Sequence, residues 1–214
     1  ARSFVGVGQW SLAYNRTLDS YGLFQIAAVN RSKHHRGLLQ LGAYNRADVS
    51  FGGALQLGGF NLARRSFTGL AQIGGFNRSG GYLGLMQLGA HNRSDKSFIG
   101  AMQTGVFNHA RTDFSGIAQI GVLNGQGRLF EDRARNKQRF AGLAQLGVAN
   151  TATALRGFGQ LGFLNHSGEF RGALQVGAAS YSKDFAGFLQ IGGLAAGAKD
   201  FKGVAQIGAA AISE

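Results

Sequence analysis

A chain of 214 residues with neither cysteine nor proline is long enough to bury an interior, and it has no disulfide framework and no thiolate metal site. Its 36 glycines keep fixed places and follow no Gly-X-Y triplet, which excludes a flexible linker and collagen. The net charge of +12, from 22 basic against 10 acidic residues, suits solubility and mutual repulsion, or else an acidic partner such as nucleic acid, lipopolysaccharide or an anionic membrane.

In chain order, one phrase recurs: Phe-x-Gly-x-x-Gln-Φ-Gly-x-x-Asn, where Φ is mostly Leu, Ile or Val. Its glutamines are Gln9, Gln25, Gln40, Gln56, Gln72, Gln87, Gln103, Gln119, Gln145, Gln160, Gln175, Gln190 and Gln206. Each stands fifteen or sixteen positions after the last, except for the wider step from Gln119 to Gln145. The first copy is imperfect, with Ser11 where Gly is expected and Asn15 one residue late. Basic residues gather between copies, as in 31–36 and Arg64-Arg65. The cleanest copies are Phe51–Asn61, Phe67–Asn77, Phe98–Asn108 and Phe114–Asn124. Residues 125–139 are polar, lack the phrase and read as a charged loop ejected from the stack. They separate a block of eight repeats (1–124) from one of five (140–214) within one continuous domain. From Gln175 onward the Asn is lost, replaced by Ser180, Ala195 and Ala211. A start at Ala1 without Met suits a mature secreted protein and equally a trimmed chain.

Three glycines per copy would each cost a helix about 1 kcal/mol relative to Ala, and the i, i+3, i+4 spacing is not sustained, so the copies are predicted to be strands. A repeat this short must lean on its neighbours. Two all-β architectures compete: an up-and-down antiparallel outer-membrane barrel and a two-sided β-solenoid of about 13 coils. The barrel gains from apolar residues at both parities, which leave a solenoid greasy outside. The solenoid gains from the linkers, which do not alternate short and long, and from equal half-coils. Gly69 stands midway between Asn61 and Asn77, as corners would require. The solenoid is the expected fold.

Corners are then assigned to Asn45, Asn61, Asn77, Asn92, Asn108, Asn124, Asn150 and Asn165, and to Gly53, Gly69, Gly84, Gly100 and Gly116, whose backbones tolerate left-handed turns. Phe67, Ala71 and Ile73 share a parity and are expected to point inward. That gives a core of Phe51, Phe67, Phe98, Phe114, Phe140, Phe170, Phe185 and Phe201, with Phe4 at the first coil. Gln72, Gly74 and Phe76 fall on the opposite face, where stacked Gln amides would form a ladder.

The phrase as it stands in residues 69–77 resembles bacterial surface-repeat proteins with tandem Gly-Φ-Gln-Φ-Gly-x-x-Asn copies, over nearly the whole chain. More weakly, Gln40/Gly42/Asn45, Gln56/Gly58/Asn61, Gln72/Gly74/Asn77 and Gln145/Gly147/Asn150 resemble the Gln-x-Gly-x-x-Asn repeats of curli-type amyloid subunits. This repeat is shorter, richer in Leu and Phe, and lacks the second Gln of the usual curli repeat. The resemblance implies a cell-surface or extracellular location and polymerisation along the solenoid axis.

No chemistry-bearing constellation emerges. His34, His35, His91, His109 and His166 share no metal-ligand spacing. Asp48, Asp95, Asp113, Glu169 and Asp184 sit in turns where neighbouring Arg or Lys would pair with them. No nucleophile elbow, P-loop or dinucleotide fingerprint occurs. The expectation is a structural, non-enzymatic protein without cofactor or metal, self-assembling end to end into a curli-like fibre. An outer-membrane barrel and a basic adhesin for anionic polymers are the alternatives. The expected partners are copies of itself and an anionic surface or polymer met by the basic turns, with no specific nucleic acid.

Overall fold

The computed structural model describes residues 3–126 and 139–213, and all regular structure in them is β. The chain divides into two compact units, Ala1–Gly105 and Val106–Glu214, each a parallel β-solenoid. Together they make about 12 turns of about 16 residues, one for each interval between successive glutamines.

In the first unit a coil consists of a long strand, a bend, a three-residue strand and a second bend. Phe60–Thr68 leads through Gly69-Leu70 into Ala71–Ile73, and Gly74-Gly75 leads into Phe76–Leu83. Each strand pairs in parallel with its counterpart one coil away. Gln72 lies opposite Gln56 on one side and Gln87 on the other, and Asn77 lies between Asn61 and Asn92. A meander would pair neighbours antiparallel, so this register overturns the barrel.

Shorter and longer coils stack together because the extra residue is absorbed as a bulge in the long strand. Ser79 faces Ala63 but Gly81 faces Ser66, so Arg64-Arg65 holds one residue more than its partner. The same shift falls between Ser32 and His34, opposite Asp48-Val49. Bulges tolerate this because the side chains there, Arg64-Arg65 and Asp48-Val49, lie outside the buried core.

In the second unit Ala118–Gln126 pairs in parallel with the start of Arg139–Lys202. Those 64 extended residues would span about 200 Å if straight. They coil instead: the Nε2 of Gln160, Gln175 and Gln190 each donates to the Oε1 of the preceding glutamine of the row, at 2.7, 2.9 and 2.8 Å. The wide step from Gln119 to Gln145 is also crossed in one coil, with Phe114 and Phe140 rings stacked at 4.9 Å and Gln119 opposite Gln145. Of the expected charged loop, Gly125 and Gln126 end one strand and Arg139 begins the next; 127–138 lie outside the described residues.

The interior holds a stacked aromatic column. Phe51, Phe67, Tyr82 and Phe98 are buried with ring centroids 4.7–4.9 Å apart and planes within 5°. Such pairs add about 0.5–1.5 kcal/mol each beyond area burial. In the second unit Phe140, Leu155, Phe170 and Phe185 are all buried, and Phe201 stacks on Phe185 at 5.1 Å while half-exposed itself. The first coils fill the same column with Phe4, Ser20 and His35.

Candidate functional site

The glutamines are not on the face opposite the phenylalanines. From Gln25 to Gln190 the whole row is buried. The chain turns at Gly69-Leu70, and the turn resets the in–out alternation, so parity counted through it fails. Gln72 thus shares the interior with Phe67, while Ile73 is half-buried and Phe76 is exposed. Each buried amide is satisfied by the next: Gln72 Nε2 donates to Gln56 Oε1 at 2.7 Å, and Gln87 Nε2 to Gln72 Oε1 at 2.7 Å. Unsatisfied, such an amide costs about 1–3 kcal/mol.

The asparagines likewise stand inside, within strands just after the second bend, and are not themselves the corners. Asn61 Nδ2 donates to Asn77 Oδ1 at 2.9 Å and to the Ile73 carbonyl at 2.8 Å, and Asn45 and Asn77 repeat the pattern. They fasten the bends with a second hydrogen bond to carbonyls that already accept a backbone N–H, as the Ile73 carbonyl does from Gly58 at 3.0 Å. Gly53, Gly69, Gly84 and Gly100 do lie at bends, but none has a positive φ. They are glycines because a Cβ would strike the carbonyl oxygen of the glycine one coil below. The two amide ladders run with opposite polarity. Gln side chains donate toward the chain start (Gln40 to Gln25, 2.8 Å), and Asn side chains donate toward its end (Asn30 to Asn45, 2.9 Å).

Outside, the first unit carries three apolar rows: one in the bend before the short strands, one on the short strands and one at the start of the long strands. Leu23, Leu38, Leu70 and Leu85 make one, linked with Ala54 by backbone bonds of 2.8–2.9 Å. Trp10, Ile26, Leu41, Leu57, Ile73 and Leu88 make the second. Tyr14, Val29, Tyr44, Phe60, Phe76 and His91 make the third. Leu70 is 52% exposed, Phe76 49% and Trp10 75%. Beside the aromatic row runs a fourth: Arg16, Arg31, Arg46, Leu62, Arg78 and Arg93. A groove of about 290 Å³ lies at this border, lined by Tyr44, Phe60, Leu62, Phe76, His91 and Arg93 among others. The second unit repeats the leucine row with Ile117, Leu143, Phe158, Phe188 and Val204 exposed. The sequence signal for these rows was the apolar residue at both parities of each copy.

The arginines share too few carboxylates. Arg31 and Arg46 bind Asp48 through Nε at 3.0 and 2.6 Å, with Arg64 at 3.7 Å. Arg78 and Arg93 hold Asp95 at 2.8 and 2.7 Å. Partial burial acts to raise both carboxyls, but the arginine hydrogen bonds outweigh it and keep them below the ordinary aspartate range. Each cluster therefore stays ionised and net positive. His91, at the end of the aromatic row, is shifted down by burial and by Arg93 and Arg78.

The other histidines are dispersed. His34 Nδ1 lies 2.9 Å from Ser50 Oγ, and His166 stacks on Tyr181. His35 is buried against Phe51, its two ring nitrogens without partners and its imidazole pushed down to about 4 by burial. Among the described residues no three His, Asp or Glu side chains cluster as a metal site would require, and no helix is long and apolar enough to cross a membrane. The stacked repeats with their Gln and Asn ladders fit a tandem-repeat protein. No family model, curated protein or solved structure matches the chain.

Proposed function

We propose that this is a structural, non-enzymatic repeat protein of the bacterial surface or extracellular space, lengthened end to end by stacking the last coil of one copy on the first coil of the next. The observation that supports it is ladder polarity. Gln25 donates to Gln9 Oε1 at 2.9 Å, and Gln206 donates to Gln190 Oε1 at 3.0 Å. The row thus ends on the amide N–H side of Gln9 and on the carbonyl side of Gln206, so the two termini are complementary donor and acceptor. The end coils are apolar as well, with Leu12 and Ile212 well exposed. The resemblance of residues 69–77 to surface-repeat and curli-type sequences points to the same use.

Negative-stain microscopy of the purified chain should show filaments one coil wide, and Leu12→Arg should abolish them while leaving the β circular-dichroism signal intact. A monodisperse monomer at high concentration would sink the end-to-end reading.

A further inference from the structure

We propose that the apolar face of the first unit lies on an anionic lipid surface, with its leucine and aromatic rows among the acyl chains and its arginine row against the phosphates. This does not depend on end-to-end stacking. Nine of the side chains in its three apolar rows, Leu38, Leu70, Phe60 and Phe76 among them, are more than a third exposed downstream of the first coil's Trp10. Exposed apolar side chains gathered in adjoining rows mark an interaction surface.

Three observations select lipid. The first is the order of the rows across the face: aliphatic, then aromatic, then arginine. Side chains sort this way between hydrocarbon, headgroup level and phosphate. The second is charge. Asp48 is shared by Arg31, Arg46 and Arg64, and Asp95 by Arg78 and Arg93. One carboxylate cannot use the five N–H donors of each guanidinium, which leaves donors for phosphate oxygens. A second copy of a chain with charge +12 would bring more positive charge to this border; anionic lipid brings the opposite sign. The third is ring geometry. Phe60 and Phe76 stack on each other at 5.0 Å with planes 5° apart. One face of each ring is covered by the other, and on the remaining sides Tyr44 and His91 stand tilted at 6.4 and 5.6 Å. That disfavours sugar rings, which stack on open aromatic faces, and suits acyl chains.

Trp10 is the only tryptophan in the chain and stands in the middle apolar row, opposite Ile26, so the unaltered protein carries its own probe. The full chain should float with phosphatidylglycerol vesicles and far less with phosphatidylcholine ones, and Trp10 emission should move to shorter wavelength on binding. The pair Leu70→Ser with Leu85→Ser should weaken flotation about tenfold or more, and Arg78→Gln with Arg93→Gln should reduce binding to the phosphatidylcholine level. Retained β circular dichroism checks the fold of each variant, and should one unfold, the Trp10 shift of the unaltered chain decides. No flotation, flotation without a Trp10 shift, or binding untouched by the leucine pair overturns the proposal. A lipid-free dimer that the leucine pair abolishes overturns it too, by making the occupant a second copy.

Discussion

His35 occupies a position that most coils give to phenylalanine. It stacks on Phe51 with centroids 5.1 Å apart, yet both its nitrogens are buried without a partner. Burial lowers its imidazole from 6.5 to about 4. Above pH 6.5 the folded and unfolded chains are both neutral there, and no pH dependence arises. Between 6.5 and 4 the unfolded chain takes up a proton that the folded chain refuses, so stability falls as the pH drops. Below 4 both are protonated and the loss is complete, at about 3 kcal/mol. His35→Phe should remove this acid loss and raise stability at pH 7 by about 1–3 kcal/mol, as read by urea melts at pH 7 and pH 4.5. Equal losses for both proteins between those pH values would show that His35 is not the sensor.

At the level of the coil, glycine sets how closely the layers approach. A Cβ on Gly74 would lie 2.7 Å from Asn61 Nδ2 and closer still to the Gly58 carbonyl. Neither gives way easily: Asn61 Nδ2 is held in the Asn ladder, and the Gly58 carbonyl is backbone at the bend. A Cβ on the adjacent Gly75 would meet only the Gly59 carbonyl, at 3.1 Å. Gly74→Ala should therefore cost about 3 kcal/mol or more, and Gly75→Ala no more than about 1 kcal/mol. Thermal melts of the two variants compare them directly; equal costs would mean that backbone freedom, and not the close approach, selects glycine. The same logic accounts for the phrase Gln-Φ-Gly-x-x-Asn as a unit. Gln fills the interior with a self-satisfied amide, Gly lets the coils touch, and Asn binds the bend that Gly creates.

For the whole molecule the net charge of +12 opposes the contact that the ladder polarity favours. Copies approaching end to end repel one another over a distance that salt shortens to about 8 Å at physiological ionic strength. Elongation should then quicken as salt rises from low to physiological levels, followed by light scattering on the full chain. Elongation that slows with salt would mean that the ends meet through ion pairs and not through apolar coils and amides. Lipid docking should respond in the opposite sense, weakening with salt as its phosphate contacts are screened.

Much of this was legible in the sequence. The regular period of the glutamines, the fixed glycines and the even linkers specify a parallel stack, because only a coil that returns to the same environment each turn repeats so strictly. The inward phenylalanines followed from the same count. Phe76 faces outward as its parity predicts, but which way Gln72 and Ile73 point was not legible, because the bends that flank the short strand break the alternation that parity relies on. Nor was the reason for the glycines, since a backbone tolerance and a close contact leave the same letter in the sequence. The pairing of five arginines with two aspartates, and their place beside an exposed aromatic row, also required the tertiary structure. Residues one repeat apart become neighbours about 4.8 Å apart only once the coils are stacked.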